Sequence, residues 1–139
     1  MIKAEIAITI PFHDVDALEI VWHGHYVRYL EVARCEALKK INYGYQEMRD
    51  TGFIWPVIEI KVRYPRPARF EQTILVRAEL VEWENRMRFQ YEVVDSVTGE
   101  RITTAETTQV AVNEATQEMC FESPPILFEK LGLPPPPPL

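Results

Sequence analysis

The sequence predicts an α+β domain: a five-stranded, largely antiparallel sheet wrapped around one long central helix. Three observations predict it. One helical stretch, YVRYLEVARCEALKKIN (26–42), is apolar around most of its girth. One strand-like run precedes it and four follow it. The four are joined by short turns, which favours antiparallel pairing.

Each element has its own signal. In KAEIAITI, Ile6, Ile8 and Ile10 alternate with small or polar residues, and Pro11 ends the strand. A loop follows. From Tyr26 the period changes: Tyr26, Leu30, Ala33, Ala37 and Ile41 recur at three- and four-residue spacing, with Arg28, Glu31, Glu36, Lys39 and Lys40 between them. Tyr29, Val32 and Leu38 add a second apolar flank, so this helix should be more buried than a surface helix. Gly44 closes it, and YQEMRD is a weaker helical segment ending at Thr51-Gly52. Pro56 to Tyr64 alternates, with Ile58, Ile60, Val62 and Tyr64 on one face and Glu59, Lys61 and Arg63 on the other. Strands follow at Thr73–Trp83, around Met87, Phe89, Tyr91 and Val93, and at Ile102–Val112. Glu84-Asn85 and Asp95–Gly99 are the turns between them. These four are read as a meander.

One helix cannot cover both faces of such a sheet. A second copy should cover the exposed edge and the helix flank, which predicts a homodimer or homotetramer. Residues 1–130 read as one domain, and the proline-rich tail 131–139 as an extended, disordered end, with a ligand for a proline-binding groove as the alternative.

Composition narrows function. With 47% hydrophobic and 26% charged residues the chain is ordinary globular protein rather than disordered. A formal net charge of −6 disfavours nucleic acid as a partner, although 15 Lys and Arg leave room for a local phosphate-binding patch. Two cysteines, Cys35 and Cys120, form no CxxC pair and fit a reducing, cytoplasmic setting. No apolar run approaches the ~18 residues of a membrane span, and the N-terminal run is too short for a signal peptide.

All three histidines lie in HDVDALEIVWHGHY (13–26), beside Asp14, Asp16 and Glu19. A metal site is one reading, but the spacing matches no zinc signature, so no metal and no cofactor are expected. A second reading is acid/base or nucleophilic chemistry. A carboxylate among Val15, Leu18, Ile20, Val21 and Trp22 loses solvation and becomes a stronger base. The helix that starts nearby offers unpaired N–H groups to an oxygen gaining negative charge. Together they suit the cleavage of an acyl bond. His23 could orient the acyl group or shuttle a proton, and Gly24 would let a ligand approach the backbone. The bland reading is that Asp14 and Asp16 only shape the loop through Asx turns and that His25 caps the helix.

FHDVDALEIVWHGHYVRYLEVAR resembles the opening motif of the 4-hydroxybenzoyl-CoA thioesterase-like, or YbgC-like, branch of the hotdog-fold acyl-CoA thioesterases. That motif reads approximately Y-x-D-x-D-x-x-G-x-V-[YW]-[HYP]-x-N-Y, then E-x-A-R in the helix. Phe12, Asp14, Asp16, Val21, Trp22, His23, Tyr26, Glu31, Ala33 and Arg34 match, and Tyr64, Pro67 and Ala68 match a later segment of the family. The resemblance implies a hotdog fold and hydrolysis of an acyl-CoA or acyl carrier protein thioester. It implies that Asp16 is the catalytic carboxylate, as nucleophile or general base, and that the backbone N–H near His23 polarises the carbonyl. It also implies sites at subunit interfaces, with Lys61, Arg63, Arg66 and Arg69 as candidates for the CoA phosphates. The pocket is expected to be rimmed by Trp22, Tyr26, Tyr29 and Trp55, with Glu19, Gly24 and His25 close to substrate. The chain departs from the pattern at Leu18-Glu19, where the family commonly has glycine, at His25 for asparagine and at Gln72 for aspartate. The alternatives are a non-catalytic acyl-thioester binding or biosynthetic-cluster assembly protein, and a hotdog dehydratase.

Overall fold

A computed structural model describes residues 1–137. Along the chain run β1 (Lys3–Thr9), α1 (His25–Lys39), α2 (Tyr45–Asp50), β2 (Phe53–Ile54), β3 (Val57–Arg63), β4 (Thr73–Glu82), β5 (Met87–Asp95), β6 (Arg101–Gln109), β7 (Val112–Asn113) and α3 (Pro125–Leu131). Five strands form one antiparallel sheet in the order β1-β4-β5-β6-β3. The expected α+β class, sheet and central helix are all present.

The four-strand meander needs correction. β4, β5 and β6 are a meander, but β3 lies at the far edge beside β6. The cause is β1, which pairs with β4 without a register break from Lys3↔Glu79 to Thr9↔Thr73. With that edge of β4 filled, β1 and β6 remain as open edges, and β3 pairs with β6.

Cross-strand rows line the inner face: Ala4, Ala78, Tyr91, Ala105 and Val62 in one, Leu80, Phe89, Thr107 and Ile60 in the next. Onto this face α1 buries Tyr26, Tyr29, Leu30, Ala33, Arg34, Ala37 and Leu38. It packs over β1 and β4. The far end of the inner face is therefore uncovered, leaving Ile58 and Ile60 of β3 exposed at 58% and 42%. Val32, on the expected second apolar flank, is also exposed, so the helix is not buried all round.

Arg34 is buried in the core. Its guanidinium donates to the hydroxyls of Tyr45 (3.1 Å) and Tyr91 (3.4 Å), tying α2 and β5 to α1. Three short elements were not expected. β2 and β7 form a two-residue ladder, too short to show a period. α3 buries Leu127 and Phe128 and ends at Gly132, whose φ is +73°. Its signal was present, with Pro125 at the start and Gly132 just past the end. The proline-rich tail therefore leaves the last helix after Gly132, and residues 133–137 carry no helix or strand. Residues 138–139, the end of the expected disordered tail, lie outside the described residues.

Candidate active site

The loop between β1 and α1 is built in three pieces. Phe12–Asp14 make one 3-10 turn. A bridge between Val15 and Val21 then closes a small hairpin whose tip is Asp16-Ala17-Leu18-Glu19. In that tip Glu19 N–H donates to Asp16 O, and Asp16 N–H to Ile20 O, both at 2.9 Å. The third piece, Trp22 to Gly24, leads into α1, with His25 N–H on Trp22 O at 2.9 Å. The hairpin is laid against the β3–β4 connection: Val21 N–H donates to Ala68 O at 2.8 Å, and Ile20 bridges Arg69.

Asp16 is half-buried, and its Oδ1 accepts from Leu18 N–H at 2.8 Å. This is an Asx turn, so that part of the bland reading is correct. The same bond fixes the orientation of the carboxylate. Glu19 has φ +65°, the left-handed conformation that glycine enters without strain. This is the physical reason for a glycine at the matching family position. Glu19 is exposed and accepts the conformation as a strained residue.

Asp14 is different. It is 2% exposed, and its Oδ2 accepts from the Tyr29 hydroxyl and, at 2.6 Å, from Arg28 Nη2. Its main-chain oxygen accepts from Trp22 N–H at 3.0 Å. Burial pushes the Asp14 carboxyl up, but the hydrogen bonds from Tyr29 and Arg28 and the Arg28 charge outweigh it and hold the group below its usual range. Burial and the neighbouring carboxylate push the Tyr29 phenol up. His13 is exposed, with Nε2 3.6 Å from Asp14 Oδ1.

No side chain caps the N-terminus of α1, where the first-turn N–H groups lack partners within the helix. Aromatic rings surround this end. The Trp22 indole lies on Gly24, so close that an added Cβ would sit 2.3 Å from the ring. The missing side chain at Gly24 thus makes room for the Trp22 indole. Trp22 has ring centroids 5.2 Å from His23 and 5.3 Å from His25. Tyr64 is 6.1 Å from His23 and 5.4 Å from Tyr26, and its hydroxyl donates to His23 O at 3.1 Å. Burial pushes the Tyr26 phenol up. Tyr64 was recognised as a family match but not as part of the site. Its place in the Ile58-Ile60-Val62 alternation was the available signal. Arg28 carried none, because its partner lies fourteen residues away across the loop.

Two sets of expected site residues lie apart within the chain. Trp55 does not meet Trp22 within the chain. Its indole N–H donates to the Tyr43 hydroxyl at 2.9 Å, past the C-terminal end of α1. The fifteen-residue helix separates the two ends by about 22 Å at 1.5 Å per residue. The four candidate CoA-binding cations are not one patch. Lys61 and Arg63 line a groove of about 900 Å³ with Arg77 and Arg101 on the outer sheet face, whose lining includes neither Asp16 nor His23. Arg66 pairs with Glu100 at 2.6 Å. Arg69 alone adjoins the Asp16 hairpin, through the Ile20 bridge.

Among the described residues, no group of three or more His, Cys, Asp or Glu is placed to hold a metal ion. No helix among them is long and apolar enough to cross a membrane.

Comparison with known proteins places this geometry. The model of the thioesterase-like superfamily matches residues 10–138. "Putative esterase sll0410" of Synechocystis sp. is 32% identical over 128 residues, 91% of this chain and 77% of that protein. The acyl-CoA thioester hydrolase YbgC of Escherichia coli O6:H1 is 27% identical over 73 residues, 52% of this chain and 54% of that one. The crystal structure of DHNA-CoA thioesterase from Staphylococcus aureus superposes with a TM-score of 0.78 at 25% identity, covering 87% of this chain and 81% of that one. A matched family model across nearly the whole chain, the sheet order and the loop–helix junction agree: the chain belongs to the thioesterase-like superfamily, as a hotdog-fold thioesterase of the YbgC-like type.

Proposed function

We propose that this thioesterase hydrolyses acyl-CoA or acyl carrier protein thioesters at the junction of the Asp16 hairpin and α1. The observation that carries the reading is the pairing of Asp16, oriented by Leu18 N–H, with an uncapped helix N-terminus a few residues on. The N–H groups at that end, near His23, bind the thioester carbonyl oxygen and stabilise the charge it gains. Asp16 acts on the other side. As a base it takes a proton from water while the water oxygen bonds to the carbonyl carbon. As a nucleophile it forms an anhydride that water then opens. On either route the carbon–sulfur bond breaks, the sulfur leaves with its electron pair and gains a proton, and the products are a free acid and a free thiol. His23, beside Tyr64, is placed to orient the acyl group or pass the proton to sulfur.

Trp22 and His25 form the rim, with Tyr26 buried beneath it, and Arg69 is the cation nearest the hairpin for a CoA phosphate. A second copy would cover Ile58, Ile60 and Tyr64 at the free β3 edge, giving a homodimer or homotetramer. The free thiols Cys35 and Cys120 fit a cytoplasmic setting.

The test is thiol release from a panel of short, medium, long and aromatic acyl-CoAs, with Asp16→Asn beside wild type. Asparagine keeps an oxygen for Leu18 N–H but is neither base nor nucleophile. A fall of at least ~100-fold, or roughly 2.7 kcal/mol, is expected. Unchanged turnover would move the chemistry to Glu19 or His23. Stabilisation by acyl-CoA that stays intact would favour the binding-protein alternative.

A further inference from the structure

The hydrolase reading uses Asp16 and leaves unexplained the more elaborate carboxylate two residues earlier. We infer that Asp14 is a positioning residue: its buried carboxylate clamps the Asp16 hairpin to α1 and so sets the spacing between Asp16 and the helix N-terminal N–H groups. This rests on the proposed role of Asp16.

The geometry is specific to that task. Asp14 lies at the root of the hairpin, one residue before the Val15–Val21 bridge. Its side chain binds Tyr29 and Arg28, both in the first turns of α1. Its main-chain oxygen binds Trp22 N–H, on the strand that enters the same helix. One residue thus joins both stems of the hairpin and the helix. The hairpin tip has its own bonds, but these fix Asp16 relative to Leu18 and Ile20, not to α1. A buried carboxylate is an expensive way to shape a loop unless it is fully held, yet among the described residues Asp14 Oδ1 has no hydrogen-bond partner, His13 Nε2 standing 3.6 Å away. Only Oδ2, the oxygen facing α1, is held. Asp14 itself is too buried to meet substrate.

The consequence is mechanistic. An error of about 1 Å in relative placement can cost ~100-fold in rate without weakening substrate binding. Loss of the clamp should therefore lower kcat and spare KM. It should also free the hairpin while the sheet stays rigid.

The experiment compares wild type, Asp14→Ala, Arg28→Met and Arg28→Lys, the Arg28 changes altering a half-exposed side chain. Two readouts are taken on each: kcat and KM for an acyl-CoA hydrolysed by wild type, per folded site, and hydrogen exchange at the amides of Trp22 and Leu18 against those of Phe89 and Tyr91. The expected result for Asp14→Ala is kcat down ~30- to 100-fold, KM within about threefold, and exchange at least tenfold faster at Trp22 and Leu18 only. Arg28→Met should move both readouts the same way but less, and Arg28→Lys should restore part of each. Unchanged exchange at Trp22 and Leu18, or unchanged kcat with a freed hairpin, overturns the proposal. If Asp14→Ala fails to fold, the Arg28 pair decides on the same criteria. Wild-type silence on every ester would refute the acyl-CoA reading separately, and the exchange data would still decide whether Asp14 clamps the hairpin.

Discussion

Asp14 and Asp16 are two residues apart, on the same loop, and chemically identical. Their surroundings are opposite. Asp14 is 2% exposed, bound to a phenol and a guanidinium, and held below the usual carboxylate range. Asp16 is half-buried on a hairpin tip, with one hydrogen bond to its own turn. A carboxylate held that firmly is a poor base and cannot reach a ligand. One held by a single backbone donor keeps lone pairs for chemistry. On the proposed mechanism the pair divides the work, with Asp14 holding the geometry and Asp16 free for the reaction.

The strongest way to break this comparison is to remove each acid's charge in turn. Asp16→Asn should lower kcat at least ~100-fold and leave the melting temperature within a degree or two, since the Leu18 bond survives. If Asp16→Asn destabilised the fold and kept its activity, the roles assigned to the two acids would be reversed.

The next largest effect tests the Asp14 side alone. Tyr29→Phe deletes the buried hydroxyl on Oδ2 and leaves Arg28 in place. A hydrogen bond to a charged, buried group contributes ~1.5–3 kcal/mol, so urea unfolding should show a loss in that range with an unchanged slope. A loss below about 0.5 kcal/mol would mean that Arg28 alone holds the carboxylate.

Acid sharpens the contrast. Because the folded Asp14 carboxyl lies below its ordinary value, its ionisation stabilises the fold. That stability is fully present above the unfolded value of about 3.9 and is lost as pH falls through the lower folded value. The melting-temperature gap between wild type and Asp14→Asn should close progressively as pH falls below about 4. A gap that instead opened toward low pH would contradict the direction of the shift.

How far the comparison could be read in advance depends on whether a feature is local. The strands at Lys3–Thr9 and Val57–Arg63, and the helix over Leu30, Ala33 and Ala37, repeat a period that any window contains. The placement of β3 beside β6 does not, because it is a long-range pairing, made with the β4 edge already taken by β1. The same holds in the site. Asp16, His23 and Tyr26 are within one motif, and the motif resembles a family. The Asp14–Tyr29–Arg28 clamp joins a loop to a helix fourteen and fifteen residues later, so Asp14 read as a loop-shaping residue with no visible partner. Trp55 is illegible for a related reason: an aromatic residue suggests a pocket, while only the helix length reveals that within the chain it sits at the other end from Trp22.

The smallest effect concerns the hairpin tip that carries Asp16. Glu19 holds φ +65° with an exposed side chain, and a left-handed non-glycine residue costs ~1–2 kcal/mol. Glycine removes that strain but adds ~0.5–1 kcal/mol of backbone entropy in the unfolded chain. The balance for Glu19→Gly is a gain of about 0–1.5 kcal/mol in stability. Activity separates the two uses a glutamate could have here. If Glu19 takes part in water activation, the glycine variant is more stable and slower. If Asp16 works alone, it is more stable and equally fast, and the left-handed turn, rather than the side chain, is what position 19 supplies to the site.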